Sequence, residues 1–165
     1  MPRCVSLFSF RGGNKVMNPQ IQDIIEYVEQ KLLFYKGIGL KVLHAQKGYV
    51  KCSVPLKEET VSHLNTIHAA VQFSLAESIG GIIAGITFGV VEYYPIVKEG
   101  NIRFLQRAES DLTTEAKIDD SEINRIKTET DQIGKAEFTI SCELKDKADE
   151  VVATFIGIYQ LRKAS

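Results

Sequence analysis

Between Thr66 and Phe88 the chain reads TIHAAVQFSLAESIGGIIAGITF, with apolar or small side chains at every helical angle and one carboxylate, Glu77. A helix without a polar face has to be enclosed, so the remaining elements must wrap around this segment. The run from Ala69 to Val91 is long enough to cross a bilayer, but a mid-helix carboxylate is costly in lipid, and Gly80, Gly81, Gly85 and Gly89 interrupt the run. It is read as the buried central helix of a folded domain, with no membrane span.

The flanking segments supply the wrapping. Ile21, Ile24, Ile25, Val28 and Leu32 recur at steps of three and four with polar residues between them, which predicts one amphipathic helix over 21–35. Asn18-Pro19 marks its start, and Gly37 and Gly39 its end. The segments LKVLHA and YVKCSVPL then form two strands about a tight turn at Gln46-Lys47-Gly48, with Pro55 closing the second. After the apolar helix come strand candidates VVEYYPIV, NIRFLQ, DLTTEAKI, KAEFTISCEL and EVVATFIGIYQL, with a short polar helix in DSEINRIKTETD. In the fourth, Ala136, Phe138, Ile140, Cys142 and Leu144 alternate with polar residues, so one face is buried and the other is wet. KDKAD joins that strand to the last as a hairpin. The order predicts an α+β fold in which a curved antiparallel sheet wraps a long central helix.

Composition excludes several classes of function. The 165 residues, 44% hydrophobic and 25% charged, fit a single domain over 18–165 that buries roughly two thirds of its unfolded surface. A formal charge of −1 provides no field to draw nucleic acid or an anionic membrane. Cys4, Cys52 and Cys142 are far apart, form no CxxC pair and have no cluster of histidines, so no metal site is expected; such thiols suit a reducing cytoplasm. The apolar run after Arg3 is six residues, too short for a secretory signal. Residues 1–17 are expected to be a flexible extension, in which Met17 offers a second start.

The layout and the stretch SHLNTIHAAVQFSLAESIGG resemble the hotdog-fold acyl-CoA thioesterases, above all the phenylacetyl-CoA-type thioesterases and their little-characterised relatives. That family opens its central helix with His-Gly-Gly and carries a catalytic Asp or Glu nine positions after the His. Here His68-Ala69-Ala70 is followed at that distance by Glu77, and a sub-branch with His-Ala, then Leu-Ala-Glu and a Gly pair, matches more closely. NIRFLQRAESDLTTEA resembles the family's Phe-Leu-Arg-Pro-Ala strand, although Gln106-Arg107-Ala108 lacks the proline. Many relatives have Asn six positions before the His, where this chain has Ser62, with Asn65 nearer.

The resemblance implies hydrolysis of an acyl-CoA or acyl-carrier-protein thioester, with the coenzyme A thioester as substrate and no cofactor. The catalytic set it implies is Glu77, His68 and Asn65, and the substrate-binding set is Ala69, Ala70, Ser78 and Gly81. Glu77 acts as general base on water or as direct nucleophile, and burial should raise its pKa towards neutrality. Amides at the helix start, aided by the helix dipole, would hold the oxyanion. Nine helical residues turn 900° and rise roughly 13 Å, so His68 and Glu77 of one chain cannot meet. A site using both therefore requires a homodimer with paired central helices, or a dimer of such dimers.

Plainer readings stand beside these. Glu77 can simply accept hydrogen bonds from sheet backbone or from Tyr93 or Tyr94, His68 can be a helix-start residue, and Asn65 is an N-cap or a substrate contact. Gly80, Gly81, Ala84 and Gly85 form a small-residue stripe suited to close packing on the sheet or on a two-fold mate. Arg103, Arg107, Lys127 and Lys135 are either contacts for coenzyme A phosphates or solvated surface. The competing functions are a non-catalytic acyl-CoA-binding dimer and a hotdog dehydratase or hydratase, whose His-Phe-Pro and Asn-Pro-x-His-x-Asp motifs are missing from the sequence.

Overall fold

The computed structural model describes residues 19 to 164. The expected N-terminal extension and Cys4 lie outside these residues. Helix α1 (Pro19–Glu26) runs through a π-helical turn, Tyr27–Lys31, to a break at Leu32, beyond which α2 (Leu33–Ile38) begins. A hairpin of β1 (Lys41–Gln46) and β2 (Tyr49–Val54) leads through an irregular segment to α3 (Ala69–Phe88). β3 (Tyr93–Phe104), β4 (Leu112–Lys117), α4 (Asp120–Ile133), β5 (Lys135–Lys145) and β6 (Val151–Lys163) complete the order.

The strands form one antiparallel sheet in the order β1-β2-β4-β5-β6-β3, and α3 touches every strand of it. This is the hotdog arrangement that the resemblance implied, and it encloses the all-apolar segment. The core lies between α3 and the concave face, where Val50, Cys52, Leu112, Phe138, Leu144, Phe155 and Leu161 meet Leu75, Ile79 and Ile83, all buried. Along β5, the alternation read from the sequence holds residue by residue from Lys135 to Leu144. Gly80 sets the closeness of approach. A Cβ there would fall among the ring atoms of Tyr159 on β6, so only glycine lets the helix lie against that ring.

Two segments differ from expectation. The predicted helix over 21–35 does not run straight through, because Leu32 adopts an extended conformation (φ −79°, ψ 96°) and the chain restarts as α2. Val28 and Ile24 face the core before the break, and Ile38 and Leu40 after it, so the break lets both segments bury their apolar residues. Gly39 then ends α2 in the left-handed region (φ 72°). The two strands expected in VVEYYPIV and NIRFLQ are one strand, β3, paired with β6 along its length and bulged between Val97 and Glu99. Gly100 does not break it: a side chain there would press on the rings of Phe155 and Phe73, so its bareness serves packing.

Candidate active site

The start of α3 is fixed from both sides. Thr60, fully buried, donates from its hydroxyl to the Pro55 carbonyl at 2.7 Å and accepts from the Lys57 amide at 2.9 Å. The Ile67 amide donates to the Ala108 carbonyl and the His68 amide to that of Thr60, each at 2.8 Å. With these anchors His68 adopts an extended conformation (φ −58°, ψ 140°), and its Nδ1 accepts the Ala70 amide at 3.0 Å, so His68 is the N-cap. Nδ1 accepting leaves the proton of the neutral ring on Nε2, a donor on an exposed side chain. The Ala69 amide, at the first helical position, has no intrahelical acceptor.

Asn65 is therefore not the N-cap. It stands in the loop before the helix with φ 57°, a left-handed conformation that asparagine tolerates better than most residues, and its amide donates to the Ser62 carbonyl at 3.0 Å. The Ser62 hydroxyl is spent within the same loop, on Thr66 Oγ1 at 3.0 Å and the Leu64 amide at 3.2 Å.

Ala70, Ser74, Glu77 and Gly81, spaced by four, three and four, form the stripe of α3 that the sheet does not cover. Glu77 is half-buried there. Burial raises its carboxyl pKa above the usual value, and a hydrogen-bonding interaction with the Tyr35 phenol, which favours the ionised form, works against the rise. Burial, then the Glu77 charge, push the Tyr35 hydroxyl up to about 12, so it remains a proton donor towards the carboxylate at any working pH. The main chain of Glu77 is held as well: the Tyr159 hydroxyl donates to its carbonyl at 2.7 Å, and the Tyr159 ring stacks on Phe138. Tyr93 does not serve Glu77, since its hydroxyl donates to Asp131 at 2.7 Å, and Tyr94 is exposed.

The expected site residues thus separate. Glu77 and Gly81 share the open stripe with Ala70; a Cβ on Gly81 would meet nothing within 4 Å. Ser78 is turned to the sheet side, buried with its hydroxyl on the Leu75 carbonyl at 2.9 Å, because the next helical position lies 100° away from Glu77. His68 caps an unbroken helix and Glu77 lies nine positions further on, a rise of roughly 13 Å. Of the basic residues, Arg107 lies 3.4 Å from Glu109 and Lys127 2.7 Å from Asp131, while Arg103 and Lys135 are exposed.

Tyr35 was not legible as a site residue. In sequence it is only the end of an amphipathic helix, and the break at Leu32 is what carries it to α3. The same turn creates a cleft of about 350 Å³ lined by Leu32, Leu33, Phe34, Tyr35 and Glu77. Leu33 is 78% and Phe34 61% exposed, side by side in the lining of this cleft.

Comparison with solved structures agrees with this architecture. A Pseudomonas aeruginosa protein of unknown function, described as a probable thioesterase, is 34% identical, with a TM-score of 0.81 over 87% of this chain and 95% of that one. A Haemophilus influenzae thioesterase is 12% identical (TM-score 0.68, covering 90% and 93%), and a Chlorobaculum tepidum protein of unknown function is 14% identical (0.77, covering 88% and 96%). At those identities the likeness is one of fold. No functionally curated protein matches the chain in sequence. Residues 23–158 match the family described as a domain of unknown function, DUF4442, and the chain belongs to it.

Proposed function

We propose that the protein hydrolyses an acyl thioester of coenzyme A or of an acyl-carrier protein, with Glu77 as the reacting carboxylate. The observation that carries this reading is the placement of Glu77: the one carboxylate of α3, half-buried on the helix's open stripe and bordering an apolar cleft. Its raised pKa suits a general base. Glu77 takes a proton from water, the oxygen adds to the thioester carbonyl, the C–S bond breaks, and the leaving thiolate recovers the proton. In the alternative route the carboxylate itself attacks the carbonyl, the C–S bond breaks and the thiolate leaves, and water then cleaves the resulting anhydride to the free acid, its proton going to the thiolate. The Ala69 amide at the positive end of α3 and the Nε2–H of His68 are the donors for the oxyanion.

Because one helix keeps His68 and Glu77 apart, the complete site is formed by two chains, with Glu77 of one facing the helix start of the other. The uncovered stripe of α3 supports such a dimer, as does β3, whose outer edge carries no strand among the described residues. A screen for thiol release from acyl-CoAs of different length tests the reading. Wild-type protein is expected to turn over at least one of them, and Glu77→Ala to lose at least 100-fold in kcat. Unchanged rates in that variant would remove Glu77 from the chemistry.

One observation favours a second reading, an acyl-thioester binder without turnover. The Ala70 amide, an expected oxyanion donor, is already occupied by His68 Nδ1. Saturable acyl-CoA binding without thiol release at any chain length would establish it.

A further inference from the structure

Helix α2 and the break before it are not accounted for by the chemistry above. Amphipathic helices of this kind keep their large apolar residues inward, yet Leu33 and Phe34 stand out from the surface at the first positions after the break. The neighbouring residues behave normally: Ile38 is buried, and Leu32 and Tyr35 pack against the core. The π-helical turn Tyr27–Lys31 precedes the break, and such turns are frequent at functional sites. Its product is a short apolar wall that ends at a carboxylate, since Leu33, Phe34, Tyr35 and Glu77 line one cleft.

Resting on the reading of Glu77 as the reacting carboxylate, we propose that α2 seats the acyl group. An aliphatic or aryl chain lies against Leu33 and Phe34, and Tyr35 is a positioning residue that holds the Glu77 carboxylate at the end of the wall. The geometry argues for an apolar occupant. Apart from the Tyr35 hydroxyl and the Glu77 carboxylate, the cleft's side chains offer nothing to a polar acyl group. Ligand sites of this type combine apolar walls with a few placed polar groups. A volume of about 350 Å³ admits a chain of medium length or an aryl ring. The substrate class follows: an acyl thioester with a sizeable apolar acyl group, in preference to acetyl or a dicarboxylic acyl group.

The test measures binding and turnover separately, using the full chain. Non-hydrolysable thioether analogues of acetyl-, hexanoyl- and lauroyl-CoA are titrated by calorimetry into wild type, the double variant Leu33→Ser/Phe34→Ser, and Tyr35→Phe; hydrolysis of the matching thioesters is followed from pH 5 to 9. Wild type is expected to bind lauroyl at least 10-fold more tightly than acetyl, and the double variant, altered only at exposed positions, to lose most of that ratio. Tyr35→Phe is expected to leave the ratio in place. By removing the bond that favours the ionised carboxylate, it moves the acidic limb of the pH–rate profile, and the Glu77 titration seen by carbon-13 NMR, to higher pH.

Chain-length-dependent binding without hydrolysis by the wild type would leave the acyl seat standing and remove only the hydrolytic reading. Affinity independent of chain length, equal loss for all three analogues in the double variant, or no binding by wild type would overturn the proposal. So would a double variant that changes the oligomeric state and keeps the chain-length ratio, since the wall would then be a subunit contact. An unshifted Glu77 titration in Tyr35→Phe would remove the positioning role.

Discussion

Adjacent glycines on the central helix should answer the same added methyl group with opposite signs. A Cβ on Gly80 would enter the ring of Tyr159, whereas one on Gly81 meets nothing within 4 Å. In a helix interior alanine is more stable than glycine by about 0.5–1 kcal/mol. At Gly81 nothing within the chain opposes this gain, so Gly81→Ala should raise the Tm of the folded chain by about 1–4 °C. At Gly80 the methyl has to displace a ring that is 1% exposed, stacked on Phe138 with centroids 5.5 Å apart, and tied by its hydroxyl to the Glu77 carbonyl at 2.7 Å. Overpacking typically costs about 1–3 kcal/mol, and a ring held on both sides belongs at the upper end. Loss of the hydrogen bond adds about 1 kcal/mol. With the propensity gain set against these, Gly80→Ala should be less stable by about 3 kcal/mol, a fall in Tm of roughly 6–12 °C. Urea denaturation of both variants, with Tyr159→Phe to isolate the hydrogen bond, measures each contribution. Equal stability of Gly80→Ala and Gly81→Ala would refute the close seating of α3 on Tyr159, and with it the fixed position of Glu77.

Other perturbations test the electrostatics. Because burial raises the folded-state pKa of Glu77, the fold binds its proton more tightly than the unfolded chain, and the charge becomes destabilising as pH rises past the ordinary value of 4.5. Glu77→Gln should therefore melt higher than wild type at pH 7, with the difference closing towards pH 4; a lower Tm at pH 7 would contradict this. Asp131 behaves oppositely: Lys127, Tyr93 and Lys163 hold its carboxyl well below the usual range, so its contribution is present above the ordinary value of 3.8 and is lost as pH falls through the depressed folded value. Asp131→Asn should lower Tm at pH 7 and in low salt, and the gap should narrow in acid or in 1 M salt; a gap independent of both would refute the pairing. Burial pushes the Cys52 thiol up to about 12 and that of Cys142 above its ordinary value, so neither should alkylate in native protein at pH 8, while both react in denaturant. Peptide mapping after brief iodoacetamide treatment reads each thiol, and rapid native labelling of Cys52 would count against its burial.

Much of the architecture was legible in the sequence because it depends on periodicity. A segment without a polar face has to be enclosed, so the stretch around Glu77 implied a central helix; strict alternation from Ala136 to Leu144 implied a strand with one buried face. Nine residues of helix kept His68 and Glu77 apart wherever the helix was placed. These conclusions follow from local geometry that any fold must obey. Tertiary structure decided what proximity decides. The stripe of Ala70, Ser74, Glu77 and Gly81 remained uncovered, and Ser78, one position further on, was turned into the sheet. The helix cap fell to His68 in place of Asn65, because hydrogen bonds from residues 67 and 68 to Ala108 and Thr60 fixed the chain's direction there. Above all, Tyr35 reached Glu77 from a position 42 residues earlier, through a break at Leu32 that an apolar pattern by itself reads as continuous helix. A sequence records which face of an element is apolar; which groups meet across that face is set by how the elements close on one another.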